Sequence, residues 1–196
     1  MSGFDRKTLQ SALIFSCALM FASAGVCAQT VKVHFDPTQS QVHWSLPSTL
    51  HTVHGTFALQ SGEIAFDEKT GAASGLFVVV EDTGKSGDGI RDARMKKSIL
   101  KTSEFPTAEF HPTHVSGIVH TSGASTLTVD GVMQLYGAAH PLQLNLQVNA
   151  TGSTVDATTK FSIPFIAWGM HDPSTLFLRV DKSVQMEIDA KGSLLR

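Results

Sequence analysis

Nine histidines stand in this chain of 196 residues, and two pairs of them, His51-x-x-His54 and His111-x-x-His114, have a spacing that invites metal chemistry. On a strand, residues three apart point to opposite faces, so neither pair is preassembled. A site would have to form between loops, from ligands brought together by the fold. The same geometry places polar histidines on the outside of a sheet, and no bound metal is expected. A hydrolase needs a nucleophile, a base and an oxyanion hole, and no Gly-x-Ser-x-Gly elbow is present. A glycosidase needs two carboxylates in one cleft. The acids here fall on outward strand positions (Asp130, Glu187, Asp189) or in turns (Asp67, Glu68). The inward positions are expected to carry no ionisable group, and the chain reads as a non-enzyme. Arg91 and Asp92 read as a surface ion pair or helix cap, or as groups that meet a polar ligand group.

Thiol chemistry depends on where the chain ends up. Arg6 and Lys7 precede an uncharged run of 15 residues, 12–26, and Val26-Cys27-Ala28 supplies small or apolar residues at the positions a signal peptidase reads. The run is shorter than the roughly 20 residues that span a bilayer. Residues 1–28 therefore read as a signal peptide and 29–196 as the mature domain, periplasmic or secreted. Cleavage removes Cys17 and Cys27, the only cysteines, and leaves thirteen basic against sixteen acidic residues. Without cysteine the domain folds on its apolar core alone, and zinc–thiolate, thiol-redox and cysteine-nucleophile chemistry are excluded. Hydrophobic residues at 42% and charged residues at 16% exclude a disordered chain. The near-neutral balance offers no basic field for nucleic acid.

The elements that must position any site read as strands. Leu142, Leu144, Leu146, Val148 and Ala150 alternate with Gln143, Asn145, Gln147 and Asn149, the period of a half-buried strand. Leu127, Val129, Met133 and Leu135 do the same, as do Val184, Met186, Ile188 and Ala190. So do Val42 with Trp44 and Leu46, Val53 to Leu59, Ile64 with Phe66, Leu76 with Val78 and Val80, and Phe161 with Ile163 and Phe165. A weaker strand surrounds Phe110. Turn signals at Ser61-Gly62, Lys69-Thr70-Gly71, Ser122-Gly123 and Thr151-Gly152 join neighbours into antiparallel hairpins. One segment, 88–101, reads as a helix capped by Asp88, with Ile90, Ala93, Met95 and Ile99 as its apolar face. About eight strands with purely apolar inner positions favour a closed barrel over a sandwich.

The ordered motifs resemble the YceI-like family. They comprise Gly55, Phe57, Gly62, Ile64 and Phe66; then Arg91, Asp92, Phe105, Pro106 and Phe110; then Leu127, Thr128, Gly131, Leu135, Gly137, Pro141 and Leu144. The resemblance implies an extended, lipocalin-like antiparallel β-barrel that encloses a long apolar ligand such as a polyisoprenoid. The expected ligand-binding residues are Trp44, Phe57, Phe66, Val78, Phe110, Val129, Met133, Leu144, Phe161, Phe165 and Trp168, with Arg91 at the rim. No cofactor is expected beyond a non-covalently held isoprenoid or fatty lipid. The expected partners are that lipid, a membrane touched transiently, and a second copy in a homodimer. The rival functions are a filled barrel serving as an interaction protein, and a histidine-based metal binder. N-terminal sequencing of exported protein is expected to begin at Gln29; a start at Met1 or a lipidated Cys27 contradicts this reading.

Overall fold

The computed structural model describes residues 30–120 and 122–195; the expected signal peptide, residues 1–28, lies outside them. Nine strands make one antiparallel sheet: β1 (Thr30–Phe35), β2 (Gln41–Leu46), β3 (Val53–Asp67), β4 (Ala73–Lys85), β5 (Thr107–Gly117), β6 (Gly123–Leu135), β7 (Ala138–Thr151), β8 (Thr154–Ile163) and β9 (Val184–Leu195). β1 and β2 each pair with both β3 and β9. They lie end to end and share one place in the ring, so nine strands give eight staves. From β3 to β9 every strand pairs with its successor. The result is a closed up-and-down barrel of eight staves.

The break between β1 and β2 is a built corner. Asp36 accepts from the backbone N–H and the hydroxyl of Thr38 and from the side-chain amide of Gln39. These bonds, the Thr38 hydroxyl foremost, hold its carboxyl below the usual range. Pro112, in the middle of β5, sits at a register shift, where a residue without an N–H leaves no ladder bond unmade. A second bulge opens between β3 and β4: Thr83 fills it, its hydroxyl accepting from Ala58 N–H at 2.7 Å and donating to Val80 C=O at 2.6 Å.

The helical segment departs from the sequence expectation. Asp88 caps it, accepting from the N–H groups of Ile90 and Arg91. Regular winding stops after one short helix, α1 (Gly89–Arg94), and continues as a wider π-helical turn, Met95–Leu100, ended by Lys101 in the left-handed conformation. Ile90 is 86% exposed, and Ile99 is the one fully buried residue of the segment. The expected apolar face is therefore split: Met95 and Ile99 pack inward, and Ile90 and Ala93 face solvent.

The lower end of the barrel holds Thr30 and Leu195, the first and last described residues, and the β3–β4, β5–β6 and β7–β8 turns. Val31, Val33, Phe66, Val115, Leu127 and Val155 are buried there and pack it. Gly75, at φ 133°, is required beside this end: a Cβ would lie 2.1 Å from the Glu63 carbonyl oxygen. Gly75→Ala is therefore expected to lower unfolding free energy by about 2 kcal/mol or more in urea titration. Gly89→Ala, where a Cβ meets nothing within 4 Å, should leave stability unchanged or slightly raised.

Candidate functional site

Above that packed end the barrel is hollow. A cavity of about 360 Å³ runs up its axis, within the range of small-molecule sites. Its walls are the inward apolar side chains of every stave, among them Phe35, Val42, Phe57, Phe77, Phe110, Leu144, Phe161 and Met186. It opens at the upper end, where Ser48, Leu50 and His51 of the β2–β3 loop, Arg91, Arg94 and Met95, and Pro173, Leu178 and Val180 form the rim.

The rim is held by a small polar network. Arg91 Nε donates to Ser86 Oγ at 2.7 Å and its Nη2 to the Ser86 carbonyl at 3.0 Å. Asp92 accepts from the Ser86 N–H at 2.8 Å and from the Ser86 hydroxyl. Arg and Asp thus act on one serine rather than on each other, and together they tie α1 across the end of β4. Below α1, Lys101 sits 5.5 Å over the Tyr136 ring, which packs on Phe105 at 4.9 Å. A Cβ at Gly137 would reach 2.6 Å from the Phe105 ring, so the β6–β7 turn needs glycine there to let the ring in.

Among the described residues, one ionisable group stands inside. Glu81 is 4% exposed, lines the cavity, and its Oε2 has no hydrogen-bond partner. Burial alone pushes its carboxyl up to about 8, because the charged form loses water and gains no compensating charge. Among the described residues, no three His, Cys, Asp or Glu side chains converge as a metal site.

The YceI-like domain family matches residues 34–192. The chain belongs to the YceI-like family. Solved structures agree on the fold at low identity. A polyisoprenoid binding domain from Saccharophagus degradans, implicated in plant cell wall breakdown, is 12% identical over 82% of this chain and 97% of that one, with TM-score 0.63. Burkholderia cenocepacia BcnA is 17% identical over 80% and 98%, with TM-score 0.65. A Campylobacter jejuni YceI protein is 11% identical over 97% and 91%, with TM-score 0.53. No curated protein matches the chain in sequence.

In this YceI-like barrel the cavity brings together Trp44, Phe57, Phe110, Val129, Met133, Leu144, Phe161, Phe165 and Arg91. Three other expected residues lie elsewhere. Phe66 is buried in the packed lower end. Trp168 belongs to the loop after β8 and stacks on His140, ring centroids 3.9 Å apart and planes within 3°. Val78 is buried, but its neighbours Phe77, Val79 and Glu81 are the residues that line the cavity. Residues 76–80, LFVVV, are apolar without interruption, so alternation carries no parity there. Val80 turns away with Val78, and the same reversal brings Glu81 inside, which corrects the expectation of an interior without ionisable groups. The histidines are also not uniformly on the outside. His51 lines the rim and His140 has a buried, unpartnered Nε2.

Glu81 makes stability depend on pH. A neutral carboxyl favoured in the fold contributes fully below its ordinary value of 4.5, and that contribution is lost as pH rises to about 8. Ligand-free protein is expected to lose unfolding free energy across this window, by up to about 1.4 kcal/mol per pH unit. In Glu81→Gln the slope should flatten, and stability above pH 8 should exceed wild type. A slope unchanged in the variant, measured by denaturant titration, contradicts the assignment.

Proposed function

We propose that this YceI-like protein is an exported, non-enzymatic carrier or binding protein that holds an isoprenoid or other amphiphilic lipid inside its barrel, in the periplasm or outside the cell. The observation that carries the reading is the cavity of about 360 Å³ inside the barrel, open at one end, with almost wholly apolar walls. A ligand there gains about 25 cal/mol for each Å² of apolar surface removed from water, less the cost of ordering it. Export rests on the n-region, apolar run and cleavage box of residues 1–28. The relative described as a polyisoprenoid binding domain supports the ligand class. The non-enzymatic reading is supported by the cavity's chemistry: among the described residues, Glu81 has no second group within ion-pair reach to form a catalytic pair.

The mouth suits exchange with a lipid surface. Leu50, Ile90, Leu176 and Phe177 are 75–89% exposed on the segments that frame the opening. Arg91 and Arg94 stand among them, so a polar head group left at the rim meets positive charge. Transient membrane contact at this end is part of the reading.

Organic extraction of the purified mature protein, followed by mass spectrometry, is expected to release a long apolar lipid. Two substitutions separate a hollow barrel from a filled one. Val129 lines the cavity, whereas Val31 is 0% exposed in the packed end. Val129→Phe should lower bound lipid while the delipidated protein melts within a few degrees of wild type. Val31→Phe should overpack and cost about 1–3 kcal/mol. Equal destabilisation by both, with no lipid extracted from wild type, would show a solid barrel. Melting must be compared without ligand, because lost ligand alone lowers apparent stability.

A further inference from the structure

The barrel wall is not laddered to the same height on every side. β7 and β8 pair from Thr151 with Thr154 up to Leu146 with Thr159, and no further. Above that level β7 runs on from Asn145 to Ala138 paired with β6 alone, and β8 from Lys160 to Ile163 paired with β9 alone. The last tie across the seam is the Thr159 hydroxyl, which donates to the Asn145 carbonyl at 2.8 Å. That bond turns the Asn145 backbone towards β8. Residues two apart on a strand direct their backbone groups to the same side, so Gln143, Pro141 and Ala139 face the seam as well. Pro141 has no N–H to leave unmet there.

The turn that follows β8, residues 164–170, covers the top of the seam and reaches β7. It closes on itself. Phe165 N–H donates to the Ile163 carbonyl at 2.9 Å, Trp168 N–H to the Pro164 carbonyl at 3.0 Å, and Met170 N–H to the Phe165 carbonyl at 3.1 Å. Among the described residues, no backbone hydrogen bond joins this turn to β7. Side chains make the contact instead. Phe165 and Met170 are buried and line the cavity together with Leu144 and Leu146 of β7 and Phe161 and Ile163 of β8. Trp168 lies flat on His140 of β7, ring centroids 3.9 Å apart, and His140 Nε2 is left buried without a partner. The far half of the β8–β9 connection is anchored differently. Thr49 N–H donates to the Arg179 carbonyl and Asp181 N–H to the Pro47 carbonyl, each at 2.9 Å.

We propose that the 164–170 turn is a side door. It lifts off β7, parting Trp168 from His140, and opens the upper barrel along the β7–β8 seam. The long chain of the ligand then passes sideways between the two staves instead of threading end-on through the mouth. The inference rests on the carrier reading and adds the route by which the ligand is exchanged. Lifting the turn breaks one ring stack and some apolar contacts but no backbone ladder, which places the segment among the parts of the fold that open most easily. It also gives His140 Nε2 access to water, which lowers the cost of the open state. The anchored far half stays on the β2–β3 loop while the turn moves.

The test uses protein beginning at Gln29, which carries no cysteine, stripped of lipid. The probe is the fluorescent fatty acid cis-parinaric acid, with uptake and release followed by stopped flow. Ala139 and Ala167 are exposed and stand next to the two stacked residues in the chain. In the double variant Ala139→Cys, Ala167→Cys, a bis-maleimide joins the turn to β7, and N-ethylmaleimide modifies the same thiols without joining them. The joined protein is expected to take up and release the probe about tenfold more slowly or slower still, with equilibrium affinity within about twofold, because a gate moves rates and not the bound state. Trp168→Ala should speed uptake and release together, each by about threefold to tenfold, the range that loss of one aromatic stack supplies. A residue that merely shaped the cavity would change affinity instead of moving both rates in step. If wild type binds no probe, the carrier reading fails and the door with it. If wild type binds and the joined and unjoined proteins exchange probe at the same rates, the carrier stands and the door is wrong. Should Trp168→Ala fail to fold, the comparison of joined with unjoined protein decides alone.

Discussion

The sheet closes through one stave made of two short strands. β1 pairs with the lower ends of β3 and β9, β2 with their upper ends, and the Asp36 corner lets the chain step between them. Closure leaves no free sheet edge along the ring and turns every inner face onto a single interior. Eight staves then set the width, close to the limit at which side chains from opposite walls just meet. Stave length sets the depth: β3, with 15 residues, spans roughly 50 Å at about 3.3 Å per residue. A tube of that width and depth fills where its walls carry close-packing valines and Phe66. It stays open towards α1 and the long β8–β9 connection, whose residues line the cavity.

Openness has a cost that the rest of the molecule offsets. An empty apolar cavity forfeits packing contacts, and an unpaired buried carboxyl adds a desolvation penalty. Stability comes instead from the continuous backbone ladders, the packed lower end and the bonds that secure irregular points. Thr83 at the β3–β4 bulge is one such point, and the joint grip of Arg91 and Asp92 on Ser86 is another. The exposed ion pair Lys160–Glu187, at 2.8 Å, adds little by comparison. The Arg-Asp motif therefore ties α1 to the end of β4. Of the three buried polar side-chain atoms without a partner among the described residues, Trp44 Nε1 and Glu81 Oε2 belong to residues that line the cavity, and His140 Nε2 lies outside it.

The strand pattern was written plainly in the amino-acid sequence. Leu142 to Ala150 and Leu127 to Leu135 alternate without error because one face meets water and the other meets the interior, and that difference is what selects residue types. The Asp88 cap was equally local, since it needs only the next three residues. The ordered YceI-like motifs carried the barrel topology. Most of the aromatic wall followed from parity alone.

Tertiary structure decided what parity could not. In 76–80 every residue is apolar, so nothing local says which side chains turn in. The pairing with β3, its bulges included, makes that choice and carries Glu81 into the cavity. Whether an inward phenylalanine fills or lines depends on its height along the barrel, which separates Phe66 from Phe57 although both sit on β3. Trp168 follows the β8–β9 connection onto His140, a partner 28 residues away in the chain that no periodicity announces. Local sequence encodes which face of a strand avoids water. The volume enclosed, and the polar groups stranded within it, arise only when distant staves meet.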